Sequence, residues 1–218
     1  AVQGMALGGG CEFAMHATHR VLALESYLGL VEVGVGLIPA GGGSKELALR
    51  AASLANRAAG GDVFPFIQNM FQTVAMANVS KSALQAVELG FATESDDIVF
   101  NPRELLHVAL HRARALAESG YQPPLVQRAV KVAGRNGIAT CEMMLINMLE
   151  GGFISPWDYR VGRAVATALC GGEVDTNAKV SEQWMLDVER ALFVDLLKTE
   201  KTQQRIQYML ETGKPLRN

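Results

Sequence analysis

The sequence predicts an α/β chain in which helices dominate. Its first 44 residues hold ten of the 22 glycines of the 218-residue chain but few charged side chains, namely Glu12, Arg20, Glu25 and Glu32. Such a segment is typical of buried strands, tight turns and a buried loop. From Ser44 onward, apolar residues recur at helical spacing almost to the last residue. We therefore expect a few strands first and a long helical part after them.

Short strands and glycine-rich turns are predicted before Ser44. Apolar and β-branched runs favour strands, whereas clusters of glycine favour turns. In chain order we expect a strand that ends at 1–3, a glycine-rich turn at 4–10, a helix from Gly9 or Gly10 to Thr18, strands at 20–24 and 27–30, and an irregular loop at 31–43.

Capping residues predict where the later helices begin and end. Ser44 is the predicted N-cap of a helix through Leu54, because its hydroxyl can satisfy a first-turn amide. Asn101 and Pro102 begin a helix that runs to about Ser119. We expect further helices at 62–77, 80–89, 137–150, 156–170, 181–197 and 199–212, and a lone strand at 97–100.

Composition excludes several classes of protein. With 49% hydrophobic and 19% charged residues, the chain is not intrinsically disordered. A net charge of −2 argues against a nucleic-acid partner, and 6% aromatic residues argue against a base-stacking surface. Three cysteines, Cys11, Cys141 and Cys170, do not form a disulfide framework, which favours a reducing compartment and hence the cytoplasm.

One apolar stretch has the length of a membrane span but not its composition. Between Glu25 and Lys45 the charged residue is Glu32, yet the stretch also contains Pro39 and six glycines. A membrane helix of about 20 residues would not carry so many helix breakers. We therefore expect no membrane span, and we see no signal-peptide pattern before Arg20.

The segment GMALGGGCE at residues 4–12 carries the strongest chemical signal. Gly8, Gly9 and Gly10 would let backbone approach a ligand closely. A helix that begins there presents unbonded N–H groups, which can stabilise a developing oxyanion. Glu12 lies one turn into that helix, and a second acid, Glu32, follows twenty residues later. Two such acids beside an oxyanion site could perform acid–base chemistry on an enolisable carbonyl compound.

The same residues also allow a purely structural interpretation. A glycine run between a strand and a helix is often required by tight packing, and an isolated glutamate in an apolar stretch can reach solvent. A nucleotide-binding loop is excluded, because Gly43 is followed by Ser44 and then Lys45, the reverse of the required order. No Gly-x-Gly-x-x-Gly run lies in a βαβ unit, so no dinucleotide site is expected.

Two linked motifs, AVQGMALGGGCEFAM and YLGLVEVGVGLIPAGGG, cover about residues 1–47 with their spacing. Together they resemble the crotonase (enoyl-CoA hydratase/isomerase) superfamily. A weaker resemblance continues through VELGFATESDDI. The last residues, TQQRIQYMLETGKPLRN, are similar to bacterial bifunctional proteins in which a 3-hydroxyacyl-CoA dehydrogenase part precedes a hydratase part. The resemblance implies an incomplete crotonase-like ββα spiral at 1–120 and a helical extension that packs on it at 121–218.

The resemblance also implies roles for individual residues. Gly9 matches a glycine whose amide donates to the thioester carbonyl, and Glu12 and Glu32 match the two catalytic glutamates. In hydratases of this family the two acids activate one water, which adds across the 2,3-double bond while a proton reaches the α-carbon. The acyl-CoA thioester is then the substrate, and this chain needs no cofactor of its own.

Further positions near the two glutamates match substrate- or water-binding positions of the family. These are Gly8, Val31 and Ala40, and the Ala40 amide would help to hold the water. The sequence departs from the family pattern at Val31, where proline is common, and at Ala40, where glycine is usual. Thr18 and the run 44–46 also depart from it. None of these changes removes a catalytic group, although they bear on substrate preference.

In this family the second oxyanion-hole amide and most of the CoA-binding loop precede the glycine run. We therefore expect this chain to be part of a longer protein and to be inactive alone. NAD would be needed only by an upstream dehydrogenase part. Family members commonly form trimers or dimers of trimers, so a homo-oligomer is expected.

The leading function is hydration of enoyl-CoA in fatty-acid β-oxidation. One alternative is enoyl-CoA isomerisation, which often needs one acid, and the other is a non-catalytic helical docking module.

Other chemically interesting residues have ordinary explanations. His107 and His111 could share one helix face, but no third ligand is evident, so no metal site is expected. Cys11 is predicted to be a small core residue rather than a nucleophile. His16 and His19 flank the end of the first helix and favour packing or solvent roles. A basic region could bind the phosphates of CoA or form a solvated face: Arg112, Arg114, Arg128, Lys131 and Arg135.

Overall fold

The computed structural model describes residues 1–58 and 61–218, and 56% of it is helical. Its residues group into two units, the first formed by 1–29 and 79–126 and the second by 30–78 and 127–218. The predicted α/β class with dominant helix is confirmed. The predicted division into modules at 1–120 and 121–218 stays a prediction.

The strands and helices follow the chain in this order. The strands are β1 (Val2–Leu7), β2 (Val21–Gly29), β3 (Asp97–Val99), β4 (Val130–Lys131) and β5 (Lys179–Val180). The helices are α1 (Gly9–His16), α2 (Gly43–Arg57), α3 (Phe64–Ala75), α4 (Ala83–Glu88), α5 (Leu105–Glu118), α6 (Gly134–Glu150), α7 (Pro156–Leu169), α8 (Glu182–Leu197) and α9 (Glu200–Thr212). Short 3₁₀ helices cover Glu32–Val35 and Pro102–Glu104.

The first unit is built on a parallel sheet with strand order β1-β2-β3. Met5 lies opposite Tyr27, and Leu22 lies opposite Ile98. Helix α1 provides the crossover that parallel strands require, whereas α4 and α5 contact β2. A small cluster of Val21, Ala23, Val99 and Leu105 forms part of the core. The sheet therefore places the beginning of α1 at the carboxyl end of β1.

Two predictions about the strands are wrong. The turn expected at 4–10 begins only after Leu7, because Gly4 is accommodated within β1 at a shift of register. The two strands expected at 20–24 and 27–30 are one continuous strand, β2. Glu25 points to solvent there, and the buried hydroxyl of Ser26 donates to the Val2 carbonyl, so neither polar residue interrupts the strand.

The second unit is arranged around α7, which contacts α2, α3, α6 and α8. Its residues Val161, Val165 and Leu169 are buried. Gly162 allows the approach of α6, since a Cβ atom there would lie 2.8 Å from Leu145. Ser155 and Asp158 form a capping box at the start of α7. The antiparallel pair β4–β5 was not predicted, because two-residue strands leave no periodic pattern.

The predicted N-cap at Ser44 is also wrong. Helix α2 begins at Gly43, and its N-cap is Gly42, whose φ of +94° is accessible to glycine. Ser44 is fully buried inside the first turn, where its hydroxyl donates to the Pro39 carbonyl. The first-turn amides are instead capped from α8, by Glu189.

The bounds of the strand expected at 97–100 and of the helices expected at 137–150, 156–170, 181–197 and 199–212 differ from the observed ones by at most three residues. Within residues 1–58 and 61–218, no helix combines the length and the hydropathy that a bilayer crossing needs.

Candidate functional site

The junction between β1 and α1 holds three of the predicted site residues. Gly8 adopts φ +56°, and its N–H donates to the Gly29 carbonyl at 2.8 Å. Its own carbonyl accepts from the Glu12 amide at 3.0 Å and closes the first turn of α1. Gly9 is exposed in that turn, where the helix offers no carbonyl to its N–H. The predicted donor of the oxyanion site therefore lies in an exposed turn at a helix N-terminus.

Glu12 is buried although it lies next to this exposed turn. It is 8% exposed, whereas the following Phe13 is 86% exposed. The Glu12 carbonyl accepts from Nδ1 of His16 at 2.7 Å, one turn further along α1. A carboxylate near a helix N-terminus interacts favourably with the positive end of the helix dipole.

The other end of α1 is fixed by Arg20. Its Nη1 donates to the carbonyls of Ala14, Met15 and Ala17 at the carboxyl end of α1, where helix carbonyls lack a full set of helical partners. Its Nε donates to Asp96 at 2.6 Å, and both side chains are at most 5% exposed. The helix that carries Glu12 is therefore anchored at both ends.

The carboxyl group of Asp96 is ionised in its ion pair with Arg20. Burial alone would raise the pKa of Asp96, but hydrogen bonds from Arg20 and the Thr93 amide outweigh burial and hold that pKa below its ordinary value. An ionised Asp96 then balances the buried guanidinium of Arg20.

The second predicted glutamate, Glu32, begins the 3₁₀ helix Glu32–Val35. Val31 precedes it as the N-cap and accepts from the Gly34 amide at 3.0 Å. The Glu32 carbonyl accepts from the Leu37 amide at 3.1 Å. Backbone hydrogen bonds on both sides of Glu32 therefore define the loop, and Glu32 itself is half-buried.

Helices α7 and α9 pack against the end of this loop at Gly36. Gly36 has φ +77°, and a Cβ atom there would lie 2.9 Å from Oγ1 of Thr202 and 3.1 Å from Nε1 of Trp157. The Thr202 hydroxyl, fully buried, donates to the Gly36 carbonyl at 2.8 Å. Arg205 lies one turn further along α9, with its Cδ at 3.2 Å from the same point. These three side chains position the loop of Glu32.

Sequence reasoning did not find Trp157, Thr202 or Arg205. Their role depends on contacts across more than 120 residues, which no local pattern encodes. Arg205 is also held by Asp158, whose Oδ1 accepts from Nη1 at 2.7 Å, and by Asn218, which accepts from Nε at 2.9 Å. Burial would raise the pKa of Asp158, but hydrogen bonds from Ser155 and Arg205 outweigh it and lower that pKa.

Ala40 lies in the turn that precedes α2 and is half-buried. Just after it, the Gly42 amide donates to Oε2 of Glu189 at 3.2 Å, and the Lys45 amide donates to Oε1 of the same carboxylate. Glu189 is 1% exposed. Because this carboxylate already occupies the N-terminus of α2, that helix end serves the fold rather than an external anion.

The predicted site residues are thus shared between the units. Gly8, Gly9 and Glu12 lie in the first unit, and Val31, Glu32 and Ala40 lie in the second. Within each unit the structure brings its three residues into one local segment. The catalytic and binding roles of all six stay predictions.

The histidine pair and Cys11 lie where the sequence analysis placed them. The rings of His107 and His111 share one face of α5 with centroids 4.3 Å apart. In the part of the chain that the structure describes, no three His, Cys, Asp or Glu side chains are grouped for a metal ion. His19 contacts Asp97 at 3.0 Å, and Cys11 is fully buried, which confirms it as a core residue.

Much of the predicted basic region is engaged within the protein. Arg112 makes two bonds of 2.8 Å to Asp97, which hold the pKa of Asp97 below its ordinary value. Lys131 donates to the Gly61 carbonyl, and Arg135 contacts Asp175 at 3.3 Å. These contacts favour the structural interpretation of the region over a phosphate site.

Comparison with known proteins finds relatives along almost the whole chain. A Bacillus subtilis (strain 168) protein named "Probable 3-hydroxyacyl-CoA dehydrogenase" is 40% identical over 215 residues, which are 99% of this chain and 26% of that protein. An Idiomarina loihiensis "Fatty acid oxidation complex subunit alpha" is 30% identical over 206 residues, 94% of this chain and 26% of its own length. The chain therefore spans about a quarter of these relatives. No family model matches it.

A solved structure shares the fold. It is a carnitinyl-CoA hydratase from Mycobacterium avium, which superimposes with a TM-score of 0.53 over 98% of this chain and 59% of its own chain. The two sequences are 17% identical, so the likeness concerns the fold alone.

Proposed function

We propose that this chain, a member of the crotonase (enoyl-CoA hydratase/isomerase) superfamily, supplies the two catalytic carboxylates of an enoyl-CoA hydratase within a longer protein of fatty-acid oxidation. The observation that carries the proposal is the buried Glu12, one turn inside a helix whose first amides follow a glycine turn. Strand-to-helix junctions of this kind can stabilise a developing negative charge.

In the proposed reaction Glu12 and Glu32 hold one water and exchange its protons with the substrate. The oxygen of that water adds to the β-carbon of the 2-enoyl thioester, and a proton is delivered to the α-carbon. The Gly9 amide donates to the thioester oxygen, which carries negative charge in the enolate. Gly8, Val31 and the Ala40 amide line the water and substrate positions.

The names of the relatives support a bifunctional context. One relative is named as a 3-hydroxyacyl-CoA dehydrogenase and the other as a subunit of a fatty acid oxidation complex. We propose that a dehydrogenase part, which would use NAD, belongs to the same polypeptide as this chain. A homo-oligomer and a cytoplasmic location belong to the same proposal.

The proposal is tested on the longer protein that contains this chain. Loss of the conjugated enoyl-thioester absorbance is followed after crotonyl-CoA is added. Glu32→Gln keeps the shape of the side chain but removes the acid, so kcat should fall by about 10²-fold or more. Glu25→Gln is the matched control, because Glu25 is exposed on β2, and it should keep the full rate.

Unchanged melting temperatures in both variants would show that the fall in kcat comes from the missing acid group and not from unfolding. A wild-type protein that moves the double bond without adding water would make the site an isomerase. A wild-type protein that binds CoA esters but changes none would favour a docking module.

A further inference from the structure

A cavity of about 480 Å³ lies in the second unit, beside the loop of Glu32. Val33 and Gly34, the two residues that follow Glu32, form part of its wall. Its volume lies within the range of small-molecule sites. Most of the remaining wall is apolar and comes from α3, α6, α7 and the loop between α6 and α7: Ala75, Met148, Phe153, Ile154 and Val161.

The cavity also has a polar wall, formed by Arg205. This side chain is 2% exposed, and two of its nitrogens are taken by Asp158 and Asn218. Its Nη2 makes no hydrogen bond within the residues that the structure describes. A buried guanidinium nitrogen without an acceptor is unfavourable, so a ligand oxygen at that position would be stabilised.

Charge indicates which oxygen fits best. The ionisable groups that line the cavity are Arg205, Arg217 and Asp158. Two cations and one carboxylate leave one net positive charge, which favours an anionic ligand group. Guanidinium groups bind carboxylates with strong, charge-assisted hydrogen bonds. An apolar wall beside such a donor suits an aliphatic chain that ends in a carboxylate.

We propose that this cavity receives the acyl chain of the thioester and that Arg205 binds a carboxylate at the far end of that chain. The inference rests on the proposed function, because the cavity adjoins the loop that carries Glu32. The substrate class is then a 2-enoyl-CoA derived from a dicarboxylic acid. Arg205 is a specificity-determining residue in this assignment, and it takes no part in proton transfer.

The experiment compares two enoyl-CoA thioesters of equal chain length in the longer protein. One ends in a methyl group, the other in a carboxylate, and kcat/KM is measured for each. The carboxylate substrate should be preferred by about 10-fold, and Arg205→Gln should abolish that preference. A variant that only loosened the fold would lower both values together, so the ratio separates recognition from structure.

A second variant tests the apolar wall without touching Arg205. Ala75→Met adds volume at the end of α3, so it should lower kcat/KM more for long chains than for crotonyl-CoA. Equal kcat/KM for the two thioesters in the wild type would overturn the assignment. If adenosine 3′,5′-bisphosphate competed with the thioesters and the chain end did not change kcat/KM, the cavity would instead be assigned to the nucleotide of CoA.

Failure of the proposed function is recognised separately. If neither thioester is hydrated, calorimetric titration with the two saturated acyl-CoA thioesters still tests the cavity. Tighter binding of the carboxylate-ended thioester, lost in Arg205→Gln, would support the recognition proposed for Arg205. Equal affinities would refute it.

Discussion

Gly36 shows how the absence of one side chain determines where Glu32 lies. Its φ of +77° is strained for any residue with a Cβ atom, and Thr202, Trp157 and Arg205 fill the space that this atom would need. The close approach lets α9 bind the loop through the Gly36 carbonyl. The position of the second glutamate therefore depends on a glycine four residues away.

Replacing Gly36 by alanine should lower the free energy of unfolding by about 1–3 kcal/mol, because strain and steric overlap add. Gly34→Ala is the control in the same loop, since a Cβ atom there has no neighbour within 4 Å. That variant should stay within about 0.5 kcal/mol of the wild type. Urea denaturation measures both, and equal losses would contradict the packing argument.

The buried pair of Arg20 and Asp96 makes stability depend on pH. The pKa of Asp96 is lowered in the folded state from an ordinary value of 3.8, so the folded state binds its proton less readily than the unfolded state does. The resulting stability is complete above about pH 4 and is lost as the pH falls through the lower, folded-state pKa. Asp97 and Asp158 contribute in the same direction.

Asp96→Asn should cost about 3–5 kcal/mol at neutral pH, since it leaves a buried arginine without a counter-charge. It should also make the acid dependence shallower. Asp175→Asn is the control, because its pair with Arg135 is exposed and contributes little. Melting temperatures between pH 3 and pH 7 measure both effects. An unchanged acid slope in Asp96→Asn would contradict the assignment.

At the scale of elements, α2 is stabilised by a side chain from another helix. Glu189 of α8 accepts from the amides of Gly42 and Lys45, the first donors of α2. Removing it in Glu189→Ala should cost about 1–3 kcal/mol, because buried donors lose their acceptor. Asp187→Ala, exposed on the same helix, should change the unfolding free energy by less than about 0.5 kcal/mol. Equal effects in the two variants would show that the cap contributes nothing.

Helix α2 also shows why some elements could be predicted from the sequence and others could not. Apolar periodicity located α6, α7, α8 and α9 to within three residues. It did not reveal that Ser44 lies inside α2, because the true cap comes from a residue 147 positions away. Strand β2 was divided in two for a similar reason: Ser26 is satisfied by a neighbouring strand, which a local pattern does not show.

At the scale of the molecule, the glycine and glutamate positions of the candidate site followed from sequence motifs. Gly8, Gly9, Glu12 and Glu32 lie in short segments whose local geometry depends mainly on nearby residues. The residues that support Glu32 could not be predicted, since Trp157 and Thr202 lie on helices that follow it by more than 120 positions. The short segments that hold these residues could be located from the sequence, whereas the distant side chains that support them could not.

The 218-residue chain alone should hydrate crotonyl-CoA at least about 100-fold more slowly than the longer protein. The reason is that one oxyanion-hole donor is proposed to lie outside it, and loss of one such donor costs about 10²–10³-fold. Rates at equal molarity measure this, with circular dichroism as the check on folding. Equal rates would contradict the proposed division of the site.

The bond between Thr202 and Gly36 joins residues 166 positions apart, and this has a consequence for biosynthesis. The loop of Glu32 leaves the ribosome long before α9 has been translated, so it remains without its support for most of that time. Contacts of such separation form late in folding. The second glutamate is therefore among the last groups to reach its place in the nascent protein.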